Sequence, residues 1–245
     1  MATMGFKPPF VGVMRAAGIV AVTIPLLVVL PGPSAAEASP GPPPPPIVSA
    51  AEDDYPPFSM VTDDGRADGF AIELFEAALG AMGRTATFRV GSWPEVRSWL
   101  ENREVQALPL VARNPEREHL FDFTVPYMSL HGAIVVRHDA TDVDSLADLR
   151  GLDVAVMEGD SSHEFMLRKP RDLNLITVPS FDEALRRLSA GEFDAVVIQR
   201  LVAVRLIDQL GLENLRIVSR PVDGFRQDFC FAVPEGDRDT LALLN

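Results

Sequence analysis

Hydrophobic positions in the first third of the chain repeat with the spacing of an amphipathic helix. They fall at i, i+3, i+4, i+7, i+8 and i+11, and they are Ala71, Leu74, Phe75, Ala78, Leu79 and Met82. Gly83 follows directly, and glycine is a common stop signal at the C-terminus of a helix. The pattern therefore predicts a helix from Ala71 to Met82.

Short apolar runs alternate with further amphipathic segments along the rest of the chain. Strands are predicted at 47–51, 85–90, 105–111, 133–137, 153–157, 176–178, 195–198 and 229–233. Helices are predicted at 94–100, 144–149, 161–167, 181–188 and 201–210. Such alternation favours a largely parallel sheet with helices on its faces. Because the rhythm runs twice, we expect two α/β lobes with a ligand cleft between them.

The beginning of the chain has the pattern of an export signal. Lys7 and Arg15 precede an apolar run of about 15 residues, which is short for a membrane span, and small residues follow it up to Ala38. We expect a Sec-type signal peptide over 1–38, with an uncleaved anchor as the alternative. Residues 39–46 are rich in proline and predict a stiff extended spacer, or else a disordered leader. The protein is thus expected in the periplasm or another extracytoplasmic compartment.

Composition and charge exclude several classes of function. The 245 residues are 47% hydrophobic, and 35 acidic side chains against 22 basic ones give a net charge of −13. Nucleic acid is therefore not an expected partner. The one cysteine, Cys230, forms no internal disulfide, and no Cys/His spacing suits a metal. Sequence motifs for serine hydrolases, NTP-binding loops, zinc proteases and dinucleotide sites are missing as well, so we predict no metal and no cofactor.

The last residues of the sequence resemble the start of a helix. An apolar pattern begins at Arg238, with Leu241 and Leu244, and the sequence stops at Asn245. A two-turn helix without a cap is marginal. We expect a fragment of a longer polypeptide, with a short helix that docks and ends as the alternative.

Three local features suggest ligand chemistry. A strand leads through Gly159 into a helix that starts with Asp160, Ser161 and Ser162, where free N–H groups could receive an anion unless Asp160 only caps the helix. The segment from Arg113 to Glu118 directly follows a buried strand, and an arginine there could hold a carboxylate through two parallel hydrogen bonds, or it could pair with Glu116, Glu118 or Asp122. Tyr55, Phe58 and Trp93 follow strand ends, where aromatic rings wall pockets or pack in the core. By contrast, Ser162, His163 and Glu164 are successive residues of a helix, so they predict a solvated helix start and not a catalytic triad.

Several of these segments also match a known family in their order along the chain. The matching segments of the first half are Tyr55-Pro56-Pro57-Phe58, Gly69-Phe70-Ala71-Ile72-Glu73-Leu74, Trp93, Pro115-Glu116-Arg117 and Phe121 to Tyr127. In the second half they are Leu146 to Gly151, Val154 to Gly159 and Ala184 to Val197. The chain from residue 47 to 245 resembles the bacterial family 3 solute-binding proteins.

This resemblance implies a two-lobed periplasmic-binding-protein fold of type II, the Venus-flytrap architecture. It implies lobe 1 at 47–132, a hinge strand at 133–137, lobe 2 at 138–228, and a return hinge strand with the start of a lobe 1 helix at 229–245. The lobes of that family close around an amino acid or a similar small solute.

Ligand residues are implied only where this chain agrees with the family. Arg117 falls on the arginine for the ligand α-carboxylate, Tyr55 and Trp93 on aromatic walls, and Asp160, Ser161 and Ser162 on the lobe 2 helix start. The family's acid for the α-ammonium is replaced here by Gln199, and Asn114 occupies a position where the family has threonine. Loss of that acid puts an ordinary α-amino acid in doubt and makes an organic acid equally credible, with Glu52 as a possible substitute partner for an amine.

The resemblance leaves two main roles open, with different partners. One is a binding subunit that delivers a carboxylate or amino-acid-like solute to a transporter permease. The other is the ectodomain of a transmembrane sensor kinase or cyclase, which would signal either with a ligand or without one. A dehydratase-like enzyme is a third possibility for which Glu52 is the one acid or base we can place, so we predict that the protein is not an enzyme.

Overall fold

A computed structural model describes residues 43–169 and 172–245. The predicted signal peptide and residues 39–42 of the predicted spacer lie outside the described residues. Residues 43–46 are exposed and have no regular secondary structure. Within the described ranges, no helix has the length and apolar character that a bilayer span requires.

Strands and helices alternate along the described chain. The first part contains β1 (Ile47–Glu52), β2 (Asp54–Tyr55), β3 (Ser59–Val61), β4 (Ala67–Asp68), α1 (Phe70–Ala81), β5 (Ala86–Gly91), α2 (Trp93–Glu101), β6 (Leu108–Arg113) and β7 (Phe121–Phe123). The second part contains β8 (Met128–Arg137), a 3-10 helix (Leu146–Leu149), β9 (Asp153–Met157), α3 (Ser161–Leu167), β10 (Asn174–Val178), α4 (Phe181–Ser189), β11 (Ala195–Gln199), α5 (Arg200–Leu210) and β12 (Leu215–Ile217). The chain then returns through β13 (Arg226–Pro234) and continues into α6 (Arg238–Leu244).

The main sheet is mixed, so the prediction of a largely parallel sheet is wrong. Strands β10, β9 and β11 pair in parallel, as do β1 and β5. In contrast, β8 pairs antiparallel with β11, and β13 pairs antiparallel with β6, β7 and β8. The reason is that β8 and β13 carry the chain between the lobes in opposite directions, and each adds antiparallel pairs to the sheets that it joins.

The two crossing strands meet slightly earlier in sequence than the predicted hinge segments. Residues Met128 to His131 of β8 pair with Arg226 to Phe229 of β13. The remainder of β8 pairs with β11, and the remainder of β13 pairs with β6 and β7. The exact hinge boundaries stay a prediction, while the pairing shows where the lobes share one sheet.

Local sequence explains how the helices near the cleft begin. Ser92 and Glu95 form a capping box at the start of α2, with the Glu95 carboxylate accepting from the Ser92 backbone N–H at 2.9 Å. The short helix predicted from Arg238 also has a cap, because Asp237 accepts from the Thr240 backbone N–H at 3.1 Å. Helix α6 then packs on β13 and α1, and Leu244 is buried.

The buried apolar side chains form a core in each lobe and a third cluster that spans both. Phe75, Leu79 and Phe231 belong to the first core, and Phe165 and Phe225 belong to the second. The third cluster contains Tyr55, Trp93 and Phe229 together with Phe181 and Val196 of the other lobe. The lobes are therefore closed against each other in this structure.

Candidate solute-binding site

A small polar cavity lies between the lobes. Its volume is about 10 Å³, roughly what a single water molecule needs. The lining residues are Glu52, Tyr55, Trp93, Leu110, Ala112, Arg117, Asp160, Ser161 and Phe229. Six of the nine ligand residues expected from the sequence thus meet at one cavity. Larger pockets lie elsewhere on lobe 2, but none of them contacts these residues.

Arg117 is the central charged group of this cavity. The turn after β6 holds it in place, since its backbone N–H donates to the Asn114 side chain at 3.1 Å. The guanidinium is 3% exposed and lies 4.6 Å from the centre of the Trp93 ring. It also donates to the carbonyl oxygen of Gly159 in the other lobe at 3.1 Å. Arg117 is therefore a buried cation at the interface between the lobes.

Trp93 joins the lobes at the same point. Its indole N–H donates to the Gly159 carbonyl oxygen at 2.8 Å. Gly159 has a φ of 68°, in the left-handed region that glycine adopts without strain, and this turn aims its carbonyl at lobe 1. The aromatic wall expected at Trp93 is thus also a contact between the lobes.

Glu52 and Tyr55 contribute a carboxyl and a hydroxyl to the cavity. Burial raises the pKa of Glu52 well above its usual value, and the nearby Asp160 raises it further. The buried Tyr55 hydroxyl has no hydrogen-bond partner among the described residues. Phe58, for which the sequence allowed either a pocket or the core, is buried against Phe70.

The start of α3 is capped by its own acid. The Asp160 carboxylate accepts from the Ser162 backbone N–H at 2.6 Å, so this N–H is already occupied. The Ser161 hydroxyl donates to Gln227 at 2.7 Å, and the Ser162 hydroxyl is buried without a partner in the described chain. Asp160 therefore caps α3, as one of the two interpretations of the sequence predicted, and it also lines the cavity.

Gln199 lies behind Ser161 and does not line the cavity. Its side-chain N–H₂ donates to the Ser161 hydroxyl at 2.6 Å and to the Gln227 side-chain oxygen at 2.8 Å. Gln227 was not anticipated from the sequence, because it comes from β13, far along the chain. These three side chains form a buried polar cluster next to the cavity.

The sequence predicts a solvated helix start at Glu164, and this prediction is wrong because Glu164 is buried. Its side chain is only 10% exposed and forms an ion pair with Arg117 at 3.0 Å. The Asn114 side chain donates to the same carboxylate at 2.6 Å, and the Arg97 guanidinium donates to it at 3.4 Å. Helical spacing held the clue, since Glu164 is one turn beyond Asp160 and Ser161 and shares their face. The partners that bury it come from lobe 1, which the local pattern does not reveal.

The raised pKa of Glu52 predicts how stability depends on pH. The folded protein keeps this proton at pH values where the unfolded chain, with an ordinary pKa near 4.5, has lost it. Stability is therefore fully present below that value and falls as the pH rises through the raised pKa. We expect Glu52→Gln to increase the free energy of unfolding at pH 7, because glutamine is neutral in the buried site at every pH.

Urea unfolding at pH 4.5 and pH 7 would measure this effect. Glu104→Gln is a matched control, because Glu104 is about half exposed and pairs with Arg89 at the surface. An unchanged pH dependence in Glu52→Gln would contradict the assignment of a buried, protonated Glu52.

The two lobes, the crossing strands and a buried polar cleft define a two-lobed binding protein. The family model for "Bacterial extracellular solute-binding proteins, family 3" matches residues 47–245. The chain belongs to this family, so it is a small-solute-binding domain of the extracytoplasmic type.

Individual relatives agree with this assignment. The L-cystine-binding protein TcyJ of Escherichia coli is 26% identical over 196 residues, which cover 79% of this chain and 73% of the relative. The crystal structure of a histidine kinase sensor domain with similarity to periplasmic binding proteins is 32% identical, with a TM-score of 0.77, over 81% of this chain and 86% of that one. An ancestral arginine-binding protein bound to arginine is 26% identical, with a TM-score of 0.74, over 81% and 88%. These likenesses confirm the predicted two-lobed periplasmic-binding-protein fold.

Proposed function

We propose that the protein binds a small solute that carries both a carboxylate and an amine, as amino acids do. The observation that supports this proposal most directly is that Arg117, which is buried, lines the same cavity as the two acidic residues Glu52 and Asp160. A buried arginine offers a solute carboxylate two parallel hydrogen bonds. Relatives named for binding cystine and arginine support the amino-acid class.

The amine of the solute is expected to meet Glu52 and Asp160. Gln199 replaces the acid that the family resemblance implies for this role, and it is hydrogen-bonded to Ser161 and Gln227 away from the cavity. Glu52 and Asp160 lie close enough for the charge of Asp160 to raise the pKa of Glu52. An ammonium placed between them would relieve this repulsion, and it would lower the pKa of Glu52.

Solute binding requires the lobes to open first. The cavity of the closed form is far smaller than an amino acid. The paired strands β8 and β13 connect the lobes and are the proposed place of the hinge, with lobe 1 at 47–132 and lobe 2 at 138–228. A solute that contacts both lobes stabilises the closed form, because it binds this form more tightly than the open one.

Two physiological roles fit such a domain. The binding-protein relatives support delivery of the solute to a membrane transporter. The sensor-domain relative supports a receptor role in which closure signals across the membrane. In both roles the predicted export signal would place the domain outside the cytoplasm, and we propose no catalytic step.

A thermal-shift screen tests the proposed solute class. The purified protein is titrated with L-cystine, L-arginine, other amino acids, dicarboxylates and amines that lack a carboxylate. A solute at about a hundred times its Kd stabilises the folded state by roughly 2.7 kcal/mol, which a melting curve resolves. An unchanged Tm with every amino acid and carboxylate would refute this function. An increase in Tm only with amines that lack a carboxylate would refute the role of Arg117.

A further inference from the structure

Two residues that are expected to hold a solute, Arg117 and Asn114, donate hydrogen bonds across the cleft to the Glu164 carboxylate. It lies on α3 of lobe 2, whereas Arg117 and Asn114 both follow β6 of lobe 1. The Arg117 Nε and Nη2 groups approach separate oxygens of the carboxylate at 3.3 and 3.0 Å. Asn114 Nδ2 approaches the second oxygen at 2.6 Å. The guanidinium thus faces the carboxylate with one hydrogen bond from Nε and one ion-pair contact from Nη2, on the edge with which an arginine holds a bound carboxylate.

Arg117 has no free edge left for a second carboxylate. The edge formed by Nε and Nη2 faces Glu164. The other edge faces backbone carbonyls, since Nη1 donates to Ala112 at 3.3 Å and Nη2 donates to Gly159 at 3.1 Å. A solute carboxylate can reach the paired edge only if Glu164 leaves it.

We infer that Glu164 is a built-in carboxylate that occupies the solute-carboxylate position on Arg117 and closes the lobes without a solute. This inference rests on the proposed function, because it assigns to Arg117 the same carboxylate site. The solute's carboxylate and Glu164 then compete for Arg117, and the affinity for solute is lowered by the fraction of molecules already closed in this way.

A second ion pair between the lobes provides a matched control. Glu116 of lobe 1 pairs with Arg168 of lobe 2 at 2.6 Å, but both side chains are more than a third exposed, and neither is among the side chains that hydrogen-bond or ion-pair with Arg117. Glu116→Ala therefore removes a carboxylate from the closed interface and leaves the Arg117 site intact.

Chemical rescue with acetate tests the inference without knowledge of the natural solute. Glu164→Ala removes the carboxylate and leaves space beside Arg117 and Asn114, which acetate can fill. We expect 100 mM sodium acetate, compared with sodium chloride at equal ionic strength, to raise the Tm of Glu164→Ala by about 2–4 °C. The Tm of the wild type and of Glu116→Ala should not respond.

Small-angle scattering in solute-free buffer supplies the second measurement. Glu164→Ala, and the more conservative Glu164→Gln, should show a larger radius of gyration than the wild type and Glu116→Ala, because the lobes open. Acetate should return Glu164→Ala towards the wild-type value. Equal radii for all variants, or an acetate response no greater than that of Glu116→Ala, would overturn the inference.

These results are separable from those of the solute screen. Rescue by acetate, together with an unchanged Tm for every solute in the screen, would support the Glu164 contact and refute the amino-acid ligand. A solute found in the screen, combined with no acetate rescue, would support the proposed function and refute the role of Glu164.

Discussion

Arg117→Ala is expected to abolish solute binding and to lower the free energy of unfolding by about 3–5 kcal/mol. The guanidinium is buried and pairs with Glu164, which is itself only 10% exposed. Removal of one partner from a buried ion pair leaves the other charge poorly compensated, and here Asn114 and Arg97 would be the remaining donors to Glu164. Urea unfolding measures the stability, and the screen described above measures the binding.

Two further variants separate the contribution of the charge from that of the geometry. Arg117→Lys keeps the charge but loses the planar pair of donors. We therefore expect a smaller loss in the free energy of unfolding than for Arg117→Ala, together with strongly weakened solute binding. Arg113→Ala is the matched control, because Arg113 lies in the same segment and forms a half-exposed pair with Glu118. Such surface pairs contribute about 1 kcal/mol or less. Solute binding by Arg117→Ala with wild-type affinity would contradict the assignment.

Gly132→Ala is expected to destabilise the protein by about 3 kcal/mol, near the upper end for an overpacked core. A β-carbon at Gly132 would lie 1.7 Å from the Phe225 ring. The ring cannot move easily, because Phe225 is 1% exposed and is stacked on Phe165 with 4.4 Å between the ring centres. The backbone N–H of Gly132 also donates to the Phe225 carbonyl at 2.7 Å, beside the point where β8 leaves β13. The glycine thus allows the crossing strands to lie close to the lobe 2 core.

Gly80→Ala provides a control with the opposite sign. Gly80 lies in α1, and a β-carbon there would meet no atom within 4 Å. Alanine in a helix is favoured over glycine by about 0.5–1 kcal/mol, so this variant should be slightly more stable than the wild type. Chemical unfolding of both variants gives the comparison. Wild-type stability of Gly132→Ala would mean that the Phe225 ring relaxes without cost.

The elements with a strong local signal could be predicted closely. The strand at Asp153–Met157 and the helix at Ser161–Leu167 have the predicted bounds, and α1 begins one residue earlier than predicted. The strand expected to begin at 105 starts at Leu108, with only a bridge between Ala107 and Ser49 before it. Strands of two or three residues, such as β2 and β12, were missed. Such short strands depend on the edge that they join and not on their own periodicity.

The site was predictable as a set of residue types but not as a network. Arg117, Tyr55 and Trp93 stand out because charged and aromatic residues follow strand ends there. Their contacts could not be derived, because Glu164 approaches Arg117 from 47 residues away and Gln227 approaches Ser161 from 66 residues away. An acid within a helix has the same local pattern whether it faces solvent or another lobe.

The sequence by itself determined the alternation of strands and helices, the two-lobed class and the segments from which a cleft would be built. Those properties follow from the periodicity of apolar residues and from turn residues, which act over a few positions. Only the tertiary structure decided that β8 and β13 make the main sheet mixed and that Arg117 rather than solvent faces Glu164. The strand directions depend on which distant segments pair in the sheet. The Glu164 contact depends on closure of one lobe on the other, which brings distant charges together and excludes water from them.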